Sequence, residues 1–140
     1  MNASEHIDSL DLAQALASSA NLVKKHFPLA SVDLTPWRDD PETRRWFEEE
    51  TLDMSFHFPG WTPRLQCRSL LLQMRFRTKG VGCSKPSLLG VLIRGMTYEG
   101  ERWRLATVGE WDVSGPYLPE SSQLLLLKEI CRDLFSLFPA

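Results

Sequence analysis

The sequence predicts an α+β domain: an antiparallel meander sheet of three to four strands, packed on one face by an N-terminal and a C-terminal helix. Three observations carry this expectation. Apolar residues recur at helical intervals near both ends, they recur at two-residue intervals through the middle, and short turn-rich segments separate the alternating stretches.

The first helix is predicted over residues 9–27. Leu12, Leu16, Ala20, Val23 and Phe27 share one side, and KKHFP closes it with cations that suit the carboxyl end of the helix dipole. A second, short helix is expected over 41–50, where Asp40 can cap, Pro41 fits the first helical position and Glu42 adds an early negative charge. The period then changes. Leu52, Met54, Phe56 and Phe58 alternate with Asp53, Ser55 and His57, which marks a half-buried strand that Pro59 and Gly60 are expected to stop. Beyond PGWTP, Leu70, Leu72, Met74 and Phe76 face one way and Ser69, Gln73, Arg75 and Arg77 the other, with Leu71 an apolar exception.

LLGVLIRGMTY is almost continuously apolar, as a central strand covered on both faces should be. EGE turns the chain back into RWRLATVGEWDV, where Trp103, Leu105, Thr107, Trp111 and Val113 alternate with Arg102, Arg104, Glu110 and Asp112 in a fourth strand with one wet face. The C-terminal stretch places Leu124, Leu127, Cys131, Leu134 and Phe138 on one helical stripe, a wide apolar face that needs a sheet or another helix to cover it.

A chain of 140 residues fits one domain spanning 1–140, and nothing in it reads as a linker, repeat or low-complexity segment. Its 43% hydrophobic and 24% charged content is that of a soluble globule, and no apolar run reaches the ~18 residues of a membrane span. The amino terminus carries acids where a signal peptide needs a basic start, so a cytoplasmic location is expected. Cys67, Cys83 and Cys131 lack CxxC spacing and read as free thiols, and no His, Asp, Glu and Cys combination has metal-ligand spacing; neither a metal nor another cofactor is expected.

Charge is unevenly spread. Residues 1–63 carry 5 basic and 11 acidic side chains, 64–104 carry 9 and 2, and 105–140 carry 2 and 5. The basic block supports either an anion-binding surface or electrostatic matching within the molecule. In a simple meander Arg75 and Arg77 lie near the 78–87 loop and Arg102 and Arg104 near the opposite hairpin turn, roughly 15–20 Å away at about 3.4 Å per residue. Nucleic acid is the disfavoured partner, because the aromatic residues share the apolar phases of their strands instead of standing on an open face where bases could stack. The α-β-β-β-α outline matches that of the double-stranded RNA-binding domain, but PESSQLLLLKE lacks a basic cluster at the start of the last helix, and the topology is too widely shared to mark a family.

No catalytic constellation stands out. The TKGVGCSKPS loop lacks Walker spacing and runs into a strand, Cys83 has no base in a familiar hydrolase motif, and Glu48, Glu49 and Glu50 diverge by about 100° each around a helix. The leading expectation is therefore a binding or assembly module that holds a protein partner, or a second copy of itself, through an exposed sheet face or aromatic loops. Trp37 in TPW and Trp61 in PGWTP are the candidate aromatic contacts, with Arg75, Arg77, Arg102 and Arg104 the candidate charged ones. The alternative is a small anionic-ligand-binding protein or enzyme with its site between sheet and helices, anchored by Arg94, which shares a strand phase with Leu92 and Met96.

Overall fold

A computed structural model of the chain describes residues 2–3, 10–36, 51–77, 87–109 and 111–138. The helix expected over 41–50, together with Trp37, Cys83, Glu110 and the 78–86 loop, lies outside the described residues. Within them the order is α1 (Leu10–His26), β1 (Ser31–Asp33), β2 (Thr51–Thr62), β3 (Cys67–Arg77), β4 (Ser87–Thr97), β5 (Gly100–Ala106), β6 (Val113–Ser114) and α2 (Ser121–Leu137). The strands form one antiparallel sheet in sequential order, β1 to β6.

The α+β class and the antiparallel meander are as the sequence predicts, but the sheet has six strands, not three to four. The two additions are edge strands of three and two residues, too short to display a two-residue repeat. Two boundaries also differ. β2 runs through Pro59 and Gly60 to Thr62, because its ladder with β3 is irregular between His57 and Thr62 and β1 pairs only with residues 55–57, so the proline removes no ladder hydrogen bond. The predicted fourth strand is split: β5 ends at Ala106, and Val113 belongs to β6.

The register assembles the core in rows. Val32, Phe56, Leu70, Gly95 and Trp103 lie across five strands, and Met54, Leu72, Ile93, Leu105 and Val113 form the next row. Both helices contribute to the same apolar cluster, through Leu16 and Val23 of α1 and Leu127, Ile130, Cys131 and Leu134 of α2. Ring contacts tie the ends: Phe27 meets Phe58 edge-on at 5.7 Å, and Phe138 meets Phe76 at 4.9 Å. Edge-to-face pairs of this kind add about 0.5–1.5 kcal/mol each beyond the area they bury.

Gly95 is needed where it stands. A Cβ there would occupy the position of the Trp103 indole, which is fully buried and donates its Nε1–H to the Leu65 carbonyl at 2.6 Å. That bond pins the β2–β3 turn to the core, and the turn in turn holds the start of α2, since the Glu120 N–H donates to the Arg64 carbonyl at 2.9 Å. The other phase of the strands is also buried near the sheet centre, and apart from Leu71 its most buried members are polar: Thr51, Asp53, Gln73 and Arg94 are all 5% exposed or less.

Candidate functional site

Two groups of charged side chains grow out of this sheet, and a single irregularity separates them. β5 pairs with β4 so that Arg104 faces Arg94 and Trp103 faces Gly95, but the next pair is Glu101 with Met96. Arg102 is thus the extra residue of a β-bulge, a device that re-aims side chains. Without the bulge, Glu101 would share the phase of Trp103. With it, Glu101 shares the phase of Arg94 and Arg104.

The first group is a buried chain of polar contacts across four strands. Thr51 Oγ1 donates to Asp53 Oδ1, Gln73 Nε2 donates to Asp53 Oδ2 at 3.3 Å, and Arg94 Nε donates to Gln73 Oε1 at 3.0 Å. Arg94 Nη1 reaches Glu101 Oε1 at 3.1 Å, and Arg104 Nη2 reaches the other carboxylate oxygen at 3.2 Å. Arg94 and Glu101 have side chains only 7% and 14% exposed, so the pair is both desolvated and hydrogen-bonded.

The second group lies at the end of the sheet that carries the β2–β3 turn. The Arg102 guanidinium stands 3.7 Å from the centroid of Tyr117 and 4.9 Å from that of Trp61, and its Nη2 donates to Gln66 Oε1 at 3.2 Å. Tyr117 is brought there by Gly115, whose φ of +142° and lack of a Cβ let the chain cross directly over the Arg102 carbonyl and Trp103 Cα. The Tyr117 N–H then donates to the Arg102 carbonyl at 3.4 Å. Gln66 occupies a left-handed turn position, φ +54°, held by its own side chain donating to the Pro63 carbonyl. Among the described residues Arg102 Nε has no hydrogen-bond partner and no carboxylate meets the guanidinium; its stabilisation comes from ring faces and one amide. Trp61 and Tyr117 remain 42% and 52% exposed.

An open cleft of ≈ 330 Å³ lies between the irregular part of β2 and the β4–β5 turn, lined by none of the residues of this stack. His57, Phe58 and Pro59 form one wall, Arg68 and Ser69 another, and Tyr98 closes the far side. Arg68 lies 4.8 Å from the Tyr98 ring centroid and, like Arg102, meets no carboxylate among the described residues. His57 Nε2 is 3.6 Å from Asp33 Oδ2, both groups being substantially exposed.

Of the contact residues the sequence nominates, Trp61 and Arg102 come together. Arg94 and Arg104 instead share Glu101. Arg75 is exposed on β3, opposite Gly90 near the other end of the sheet, and Arg77 closes β3 opposite Ser87. Trp37 lies outside the described residues. Tyr117, Gln66, Arg68 and Tyr98 escape the sequence reading; PYLP and TYEG mark their turns, but no pattern links them to the arginines of neighbouring strands.

Neither described thiol offers a nucleophile. Burial pushes Cys67 and Cys131 up to about 12, against a smaller downward pull from the charges of Arg102 and Arg132 respectively. Among the described residues no cluster of three or more His, Cys, Asp or Glu could hold a metal ion, and no helix is long and apolar enough to cross a membrane. Comparison with curated proteins and with solved structures returns no match. The model of a family described as a domain of unknown function matches residues 4–140, and the chain belongs to that family.

Proposed function

We propose that this chain is a cytoplasmic binding or assembly module that holds a protein partner, or a second copy of itself, against the sheet end formed by Trp61, Arg102 and Tyr117, with both helices covering the one apolar face of the sheet. The observation that carries the reading is the clamped guanidinium: Arg102 is held between two half-exposed rings with no carboxylate partner among the described residues. Tryptophan, tyrosine and arginine are the residue types that anchor protein interfaces, and an arginine already fixed between rings loses little freedom when a partner arrives. Leu118, 49% exposed beside Tyr117, extends the apolar part of the surface. The alternative in which Arg94 anchors an anion is weakened by its pairing with Glu101 and Gln73.

The test is site-specific photo-crosslinking in native cells with p-benzoylphenylalanine in place of Tyr117. An adduct that disappears with Arg102→Ala and survives Arg75→Ala supports the reading, and an adduct mass of twice the chain identifies the partner as a second copy. An adduct indifferent to Arg102→Ala overturns it.

A further inference from the structure

We propose that the cleft between β2 and the β4–β5 turn binds a carboxylate carried on a small apolar group, with Arg68 as its cationic anchor. The site is distinct from the Trp61–Arg102–Tyr117 surface and does not depend on the protein-binding reading. Its volume, ≈ 330 Å³, is at the lower end of the ~300–1,000 Å³ typical of ligand pockets, which suits a single ring or short chain plus one anionic group.

The polar groups of the cleft differ in how far they are already used. Thr97 is spent: its hydroxyl donates to the Gly100 carbonyl and accepts from the Glu99 N–H, both at 3.2 Å. Arg68 is not, for its one contact among the described residues is the Tyr98 ring, which leaves the donor edge of the guanidinium unpaired. An unpaired guanidinium fork matches the two oxygen acceptors of a carboxylate, and guanidinium–carboxylate pairing adds direction as well as strength. Asp33 stands behind His57, on the imidazole rather than on Arg68, so it does not pre-empt the anchor. The apolar body of the ligand then rests on Phe58, whose ring is held edge-on by Phe27, and on Pro59.

The carboxylate could belong to a free small acid or to the end of a peptide chain, and the same titration distinguishes them. The probes are benzoate, its uncharged analogue benzyl alcohol, N-acetylphenylalanine and N-acetylphenylalanine amide, followed by amide chemical shifts in two-dimensional NMR of the whole chain. Benzoate is expected to shift Ser69 and Tyr98 and to bind at least about tenfold more tightly than benzyl alcohol, the loss expected when a charge-assisted hydrogen bond is removed. Tighter binding of N-acetylphenylalanine than of benzoate assigns the site to chain ends; the reverse assigns it to free acids. Arg68→Gln should remove the preference for the acid over the alcohol. Because Arg68 is half-buried, Tyr98→Ala is the companion variant: Tyr98 is 87% exposed, its loss leaves the core untouched, and releasing Arg68 should weaken benzoate several-fold. Equal binding of acid and alcohol, binding unaffected by Arg68→Gln in a folded variant, or shifts confined to residues around Arg102 would each overturn the assignment.

Discussion

Arg94 and Arg102 stand on neighbouring strands of one sheet, yet they are held by opposite means. Arg94 is buried and neutralised, its guanidinium shared between Gln73 and Glu101 in a chain of contacts that crosses four strands. Arg102 is wedged between the rings of Tyr117 and Trp61 at the sheet end, with no carboxylate among the described residues. What divides them is one register shift, between Gly95 and Met96, which turns Glu101 toward Arg94 and leaves Arg102 as the unpaired extra residue of β5. A buried arginine with a carboxylate contributes to the definition of the fold. The second arginine is held by ring faces and one amide in place of a carboxylate, and under the proposed reading it is the charge that meets the partner.

The sharpest way to break this contrast is to remove the shared carboxylate. Glu101→Ala leaves Arg94 and Arg104 without the group they both contact, in surroundings where Arg94 is nearly sealed from solvent. Loss of one member of a buried pair costs about 3–5 kcal/mol, and urea denaturation should show a drop of that size. A drop below about 1 kcal/mol would mean that the buried group is no more demanding than the exposed one, and the contrast would collapse.

The buried and open regions also differ in their response to alkali. Burial raises Cys67 and Cys131 from 9.0 to about 12, so in the folded chain both thiols keep their protons at pH values where an unfolded chain loses them. The sign follows: folding stability is intact below about pH 9 and falls as pH rises toward 12, by about 1.4 kcal/mol per pH unit for each thiol. Denaturation midpoints between pH 8 and 10.5 should decline, and the Cys67→Ala, Cys131→Ala double variant should show a shallower decline than the parent.

Gly95→Ala tests the apolar row beneath both arginines. The added methyl enters the space of the Trp103 indole, and overpacking of this kind costs about 1–3 kcal/mol. Near-ultraviolet circular dichroism should register the displaced indole, while Gly60→Ala, where a Cβ meets nothing within 4 Å, should leave that signal unchanged.

How much of this the sequence could disclose varies along the chain for physical reasons. Alternation of apolar residues in 52–58 and 70–76 and the helical stripe through Leu127, Cys131 and Leu134 were legible, because the apolar phase is the one that joins the core cluster; the half-buried strand expected at 52–58 was not found, since Asp53, Ser55 and Gln73 in the other phase are buried as well. The edge strands were not, since two or three residues carry no period. The candidate surface was legible only in its parts. Alternation alone puts Arg102 and Arg104 on one side with Glu101 opposite; the bulge reverses Glu101 and detaches Arg102, and a bulge is a property of two strands in register, not of either one. Trp61 likewise emerges where the β2–β3 ladder loses register, and Tyr117 reaches Arg102 only because Gly115 permits a crossing that any side chain would block.

The smallest expected effect on stability is the most informative about binding. Arg102→Ala removes two cation–π contacts and one hydrogen bond at a surface that solvent already reaches, and the change in unfolding free energy should stay within about 1–2 kcal/mol. Tryptophan emission should nevertheless change with Arg102→Ala in the parent and stay constant in a Trp61→Phe background, because Trp61 loses the guanidinium over its ring while buried Trp103 keeps its bond to Leu65. Arg102→Lys then separates charge from shape. A lysine keeps the positive charge but lacks the flat guanidinium that can lie against two rings at once. If partner crosslinking at position 117 survives Arg102→Lys, the surface needs only a cation there, and the stack is incidental. If Arg102→Lys fails as completely as Arg102→Ala, the partner is reading the planar, pre-positioned guanidinium that the bulge in β5 and the crossing at Gly115 together create.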